Sequence, residues 1–213
     1  MNEYGFNCSQ QDLMTKDIVI CVSDNDDIVG AGMSKLEAHT ITPNNPRGIC
    51  HRAFSVFVLN SKNELLITQR SHEKITFPGI WSNSCCSHPL YNMIPDEASD
   101  GIIGVKNAAK RKMKHELGLH VSEFSVATRF YYFAKYNDLY CEHELDYVVF
   151  CKTDDIPKLN RDEMADYKYV SKDELPNLML TMEFSEWFKK IIQFRGIDWI
   201  FAPNTEFDDI IYK

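Results

Sequence analysis

The stretch RAFSVFVLNSKNELLITQR, residues 52–70, decides the fold. Two apolar runs, residues 53–59 and 64–69, flank the polar turn NSKN, and β-branched or aromatic residues recur in both. That pattern predicts a β-hairpin. Downstream, TFPGIWSNSCCSHPL (76–90) reads as a stiff connection, with Pro78-Gly79 as a turn and Pro89 as a stop. Pro95-Asp96-Glu97 carries helix-start chemistry, which Gly101 and Gly104 weaken. From Val105 the helix is firmer: Val105, Ala109, Met113 and Leu117 recur every fourth residue as a buried stripe, and Gly118 closes it. Lys110, Arg111, Lys112, Lys114 and His115 make its remaining surface basic. Residues 124–135 and 141–152 read as strands. KYVSKDEL reads as a strand, then a short helix capped by Ser171. Residues 185–194 form an amphipathic helix with Trp187, Ile191 and Phe194 on one side.

Upstream, residues 17–22 read as a strand, residues 35–38 as a helical turn and residues 1–16 as a loose polar arm. The tail from Arg195 is assigned no element. The order of hairpin, helix, strands and helices predicts one α/β domain over residues 1–213, with a mixed sheet between helical layers.

Composition narrows the partners. The chain has 213 residues and a net charge of −8, which disfavours nucleic acid. No apolar run approaches the roughly 20 residues of a membrane span. The N-terminus lacks a basic start and an apolar core, so no secretory signal is read. Seven scattered cysteines without an export signal imply free thiols in a reducing compartment, and the cytoplasm is the expected location.

The chemistry-bearing residues cluster in a few segments. Cys85-Cys86-x-His88 has three readings: a metal site through sulfur, a nucleophilic thiol beside a metal-bound imidazole, and a buried structural corner. In the second, a nearby cation lowers the pKa of the thiol. His39, His51 and His88, with Glu142 and Glu144 on one strand face, suit a divalent ion such as Zn²⁺ or Mn²⁺. The spacing equally fits surface histidines and an exposed acidic pair. Lys35, Arg70, Lys74, Arg111 and Lys112 are cations that could converge on a diphosphate, or remain solvated surface charge.

The helix end RKMKHELG resembles the Nudix helix, Gly-x5-Glu-x7-Arg-Glu-x-x-Glu-Glu-x-Gly. Arg111, Glu116 and Gly118 match, whereas Ile103, Lys112 and His115 replace glutamates that hold Mg²⁺ in a hydrolase. KLEAHT, the hairpin, WSNSCCSHPL, AAKRKMKHELG, RFYY with EHELDYVVF, and FSEWFKK together resemble the type 1 isopentenyl-diphosphate isomerases over about residues 35–190. The resemblance implies a Nudix-like α/β/α sandwich. It implies reversible isomerisation of isopentenyl diphosphate to dimethylallyl diphosphate through a tertiary carbocation. Matched residue by residue, it makes Cys86, Glu144, Tyr132 and Trp187 catalytic. It makes Lys35, Arg70, Lys74, Ser87 and Lys112 the diphosphate clamp. It assigns His39, His51, His88, Glu142 and Glu144 to one tightly bound divalent metal (Zn²⁺, Mn²⁺ or Mg²⁺), and Glu116 to a Mg²⁺ that arrives with the diphosphate. The expected working unit is a monomer. The competing expectations are a Nudix diphosphate hydrolase and a non-catalytic diphosphate or metal binder.

Overall fold

The computed structural model describes residues 4–5, 8–203 and 206–212. The first helix, α1 (Gln10–Lys16), is capped by Ser9, whose hydroxyl accepts the Asp12 N–H at 3.1 Å. The loose arm expected over residues 1–16 is therefore a capped helix from Gln10 on, with Leu13 and Met14 buried; residues 1–3 and 6–7 lie outside the described residues. β1 (Ile18–Val19) pairs with β2 (Met33–Ser34), and the strand expected over 17–22 continues only as isolated bridges. α2 (Lys35–His39) follows directly, with a Ser34–Glu37 capping box.

β3 (His51–Leu59) and β4 (Leu65–Arg70) form the expected antiparallel hairpin. β5 (Trp81–Ser82) and β6 (Cys85–Ser87) lie in the stiff connection. α3 (Gly101–Leu117) starts later than the Pro95 signal, because Asp100 caps it by accepting the Ile103 N–H at 2.8 Å. Gly104 belongs there sterically: a Cβ would lie 2.2 Å from the Glu97 carbonyl oxygen. At the other end Gly118 adopts φ 63°, the left-handed conformation a helix C-cap favours. β7 (Ser125–Lys135), β8 (Cys141–Lys152) and β9 (Met164–Val170) complete the predicted strands. Ser171 accepts the Glu174 N–H and opens a turn, but α4 (Leu175–Thr181) itself begins after Glu174. α5 (Glu186–Arg195) is the expected amphipathic helix. The unassigned tail adds α6 (Ile197–Phe201) and β10 (Asp208–Tyr212).

Among the described residues the main sheet runs β10-β7-β8-β3-β4-β5, with β6 also on β3 and β9 also on β4. It is mixed: β3–β8 and β10–β7 are parallel, the other pairs antiparallel. β3 is buried throughout, so its side chains feed two cores alternately. Phe54, Val56 and Val58 pack with Val105, Ala109, Met113 and Leu117 of α3. Phe57 and Leu59 pack with Leu175, Phe188, Ile191 and Ile200 of the C-terminal helices. Helices therefore cover both faces, an α/β/α sandwich.

β3 also divides its free edge. Its second half, at Val58 and Leu59, pairs β4, while its first half, at Phe54–Val56, pairs β6. That opening at the sheet's centre is where the chemistry-bearing residues gather.

Candidate active site

Register assembles the site. His51 of β3 is paired with Glu144 of β8, and Glu144 with Tyr132 of β7, so three side chains from three strands form one row on one face. Ser55 of β3 is paired with Cys86 of β6. His88 follows β6, and His39 ends α2. The ligand atoms of His39, His51, His88, Glu142 and Glu144 all lie within 4.8 Å of one another, and all five residues are buried.

The second shell orients these rings. His39 Nδ1 lies 2.7 Å from the Lys35 carbonyl oxygen, and His51 Nδ1 lies 2.8 Å from that of Ile49. A carbonyl only accepts, so each Nδ1 carries the proton and each Nε2 presents a lone pair inward. His39 Nε2 lies 2.7 Å from Glu142 Oε2 and His51 Nε2 3.6 Å from Glu144 Oε1, yet with the protons on Nδ1 neither pair forms a hydrogen bond. His88 Nε2 lies 2.7 Å from Glu144 Oε1. Burial, then the neighbouring His51, holds the His88 imidazole well below its usual pKa, in the neutral form a metal needs. Burial opposes ionisation of Glu142 and Glu144, yet positive charge among the histidines outweighs it and holds both below the usual carboxylate range. Two buried carboxylates with orphaned nitrogens fit a divalent cation, because without one their charge carries a desolvation cost of several kcal/mol.

A cleft opens beside this cluster, lined by Cys86, Trp187, Tyr132 and Glu144 and by the cations Lys35, Arg70, Lys74 and Lys112. The NUDIX domain family matches residues 50–191. An isopentenyl-diphosphate delta-isomerase from Gibberella zeae is 40% identical over 201 residues, which cover 89% of this chain and 78% of the relative. One from Mesocricetus auratus is 41% identical, covering 86% and 84%. This chain belongs to the isopentenyl-diphosphate delta-isomerase family. A chloroplastic relative from Arabidopsis thaliana is 39% identical, covering 90% of this chain and 69% of its own. A Nudix hydrolase from Burkholderia pseudomallei shares the fold alone, with a TM-score of 0.52 and 13% identity over 68% of this chain and 96% of its own.

Around the isomerase's two cysteines the alternation of β6 separates roles. Cys85 turns to α3 and its thiol donates to Glu116 Oε2 at 3.1 Å. Cys86 turns to α5, where Trp187 Nε1–H donates to its sulfur at 3.0 Å. Asn83 Oδ1 is 3.1 Å from the same sulfur and accepts its proton, while Ser82 and Ser55 hydroxyls lie at 3.6 and 3.7 Å. The sulfur-bound metal reading of Cys85-Cys86-x-His88 gains no geometric support, since the two thiols face opposite layers. Burial, then the Asp146 carboxylate, pushes Cys86 up to about 12, against the lowering that a nearby cation brings.

Tyr132 donates to Glu144 Oε2, and burial, then that carboxylate, holds its phenol well above the usual value. Arg70 is held by the Phe77 and Thr76 carbonyls at 2.9 and 2.8 Å, with its guanidinium 5.4 Å from the Trp187 ring centre. Burial, then the Lys74 and Lys112 ammoniums, brings Lys35 down to about 8. Such repulsion is the mark of cations gathered for an anion. Ser87 and Glu116 line the same cleft, so every expected site residue except the deeper His39 and His51 faces it. Arg111 instead pairs with Glu97, away from the cleft. Sequence missed Ser82 beside the thiol and four further residues. Asn83 and Ser55 touch the thiol, Asp146 accepts Ser55 Oγ–H at 2.7 Å, and Thr76 donates to Glu142 at 3.0 Å. The Trp81–His88 segment could have flagged Asn83; strand alternation two residues past Glu144 could have flagged Asp146.

Proposed function

We propose that the isomerisation of isopentenyl diphosphate to dimethylallyl diphosphate runs in this cleft, with Cys86 and the Glu144–Tyr132 pair as its two proton carriers. One observation carries the reading: a thiol, a carboxylate–phenol pair and four cations line the same cleft. Lys35, Arg70, Lys74, Lys112 and the Ser87 N–H take the diphosphate. The alkene is thereby directed to the inner end, where one group protonates it and the other removes a proton. The Trp187 face stabilises the tertiary cation without bonding to it. The His39, His51, His88, Glu142 and Glu144 cluster holds a divalent ion, and Glu116 takes part in holding the diphosphate's Mg²⁺. A bound divalent ion supplies fixed positive charge at Glu144. Incubation with isopentenyl diphosphate and Mg²⁺ in D₂O tests the assignment. Deuterated dimethylallyl diphosphate from the wild type, and none from Cys86→Ala or Glu144→Gln, supports it; undiminished label from either variant refutes that residue's role.

The sequence reading made Glu144–Tyr132 the forward acid and Cys86 the forward base. The thiol's high pKa favours the opposite order, in which Cys86 starts protonated and Glu144 ionised. The two orders differ in sign. If Cys86 is the base, its active form is the thiolate, and forward kcat at saturating substrate rises steadily between pH 7 and 10. If it is the acid, that limb is flat below a pKa of about 12.

Among the described residues no helix is long and apolar enough to cross a membrane. The seven free cysteines fit a reducing compartment, and we propose a cytoplasmic monomer. Gel filtration and cell fractionation test both parts.

A further inference from the structure

Two of the clamp lysines, Lys74 and Lys112, face one carboxylate, that of Glu163, just before β9. Glu163 is 1% exposed. Its Oε2 accepts from Lys74 Nζ. Its Oε1 lies 3.6 Å from both Lys112 Nζ and His115 Nδ1 and has no hydrogen-bond partner. Lys112 Nζ is in turn 2.8 Å from Glu116 Oε1. Charges therefore alternate along one line, Lys74, Glu163, Lys112, Glu116, drawn from the connection after β4, the loop before β9, and α3.

The backbone under Glu163 ties the same parts together. Its carbonyl accepts the Ser71 N–H at 2.9 Å, three residues before Lys74. Its N–H donates to the Asn160 carbonyl at 3.0 Å, and the Asn160 N–H donates to the Glu116 carbonyl at 2.9 Å. The segment is a strut between the two lysine-bearing elements. Lys112 and His115 occupy positions where a Nudix hydrolase carries glutamates, and both face this carboxylate, which enters from another part of the chain.

We propose that Glu163 is a positioning residue of the isomerisation. It fixes the spacing of the Lys74 and Lys112 ammoniums so that both meet one diphosphate. The inference rests on the clamp assigned above. Glu163 itself touches no reacting atom, so its loss weakens binding of ground state and transition state alike and raises KM rather than lowering kcat.

The test is a double-mutant cycle on the full chain, read by calorimetry with inorganic pyrophosphate and Mg²⁺ and by steady-state kinetics. Glu163→Gln is expected to weaken pyrophosphate binding about tenfold, the scale at which supporting-shell changes act. KM rises in step while kcat stays within about twofold. In a Lys74→Met background the same change costs clearly less than in the wild type, because one of the two ammoniums it spaces is gone. Unchanged affinity in Glu163→Gln, a loss in kcat alone, or a full additive loss in the Lys74→Met background overturns the proposal. If Lys74→Met itself binds pyrophosphate normally, the clamp reading fails first and this one falls with it. Should Glu163→Gln not fold, Glu163→Asp keeps the charge but withdraws it by one methylene. A several-fold affinity loss there supports the spacing role, and wild-type affinity overturns it.

Discussion

Two sulfurs adjacent in sequence reach opposite layers of the molecule. Cys85 meets Glu116 under α3, and Cys86 meets Trp187 under α5. Cys86→Ala is expected to abolish turnover, whereas Cys85→Ala keeps most of it at saturating Mg²⁺. Losing the bond to Glu116 should raise the Mg²⁺ requirement only a few-fold, read from a Mg²⁺ titration of the rate. Abolished activity in Cys85→Ala sinks the assignment. Lys35 gives a pH test. Its ammonium is brought down to about 8, so the positive form is complete below that pH and is lost as pH rises through it. KM for isopentenyl diphosphate should therefore climb above pH 8, and Lys35→Arg, which stays charged, should flatten the climb. A pH-independent KM in the wild type would count against Lys35 in the clamp. At this scale the sequence marked residues that do gather in one place, because imidazole, carboxylate and thiol chemistry is written in the residue. It did not show the burial of Cys86 or the nearness of Asp146, which packing sets.

Elements translate these residues into positions. α3 carries Lys112 and Glu116 to the cleft, and its first turn fits only because Gly104 leaves room for the Glu97 carbonyl. Gly104→Ala is therefore expected to destabilise the fold by more than about 1 kcal/mol despite alanine's better helix propensity. Urea unfolding measures this, and a gain in stability would show that the helix start can shift without cost. Leu117→Ala, at the buried end of the same stripe, should cost about 2–5 kcal/mol. The stripe Val105, Ala109, Met113 and Leu117 was legible because fourfold spacing is local. The start of α3 was not, since Pro95 signals a turn and the cap is Asp100. α1 was hidden for a related reason: its polar sequence buries only Leu13 and Met14, too little to show as a stripe. β10 depends on pairing with β7, a partner that no local pattern announces.

In the whole molecule, the five-ligand cluster joins α2, β3, the end of β6 and β8. A cation bound there stabilises the folded chain by mass action, since an unfolded chain presents no such cluster. Stripping metal with a chelator should lower the melting temperature, and re-adding Zn²⁺ or Mn²⁺ should restore it. His51→Asn should remove the difference between stripped and loaded protein. A melting curve indifferent to the chelator would argue against a tightly held ion. The same five residues are scattered between positions 39 and 144 of the sequence, which is why they read equally well there as surface histidines and an exposed acidic pair.

The pairing of His51 with Glu144 joins strands made far apart in the chain, side by side and parallel. Long-range parallel pairing is slow to form. The helices can be complete while this ladder is still unmade or is a notch out of step, and a one-residue slip would present His143 or Leu145 where Glu144 belongs. Recovered turnover after denaturation thus becomes a stopwatch for the last correct alignment of the sheet, running behind any optical measure of regained helix.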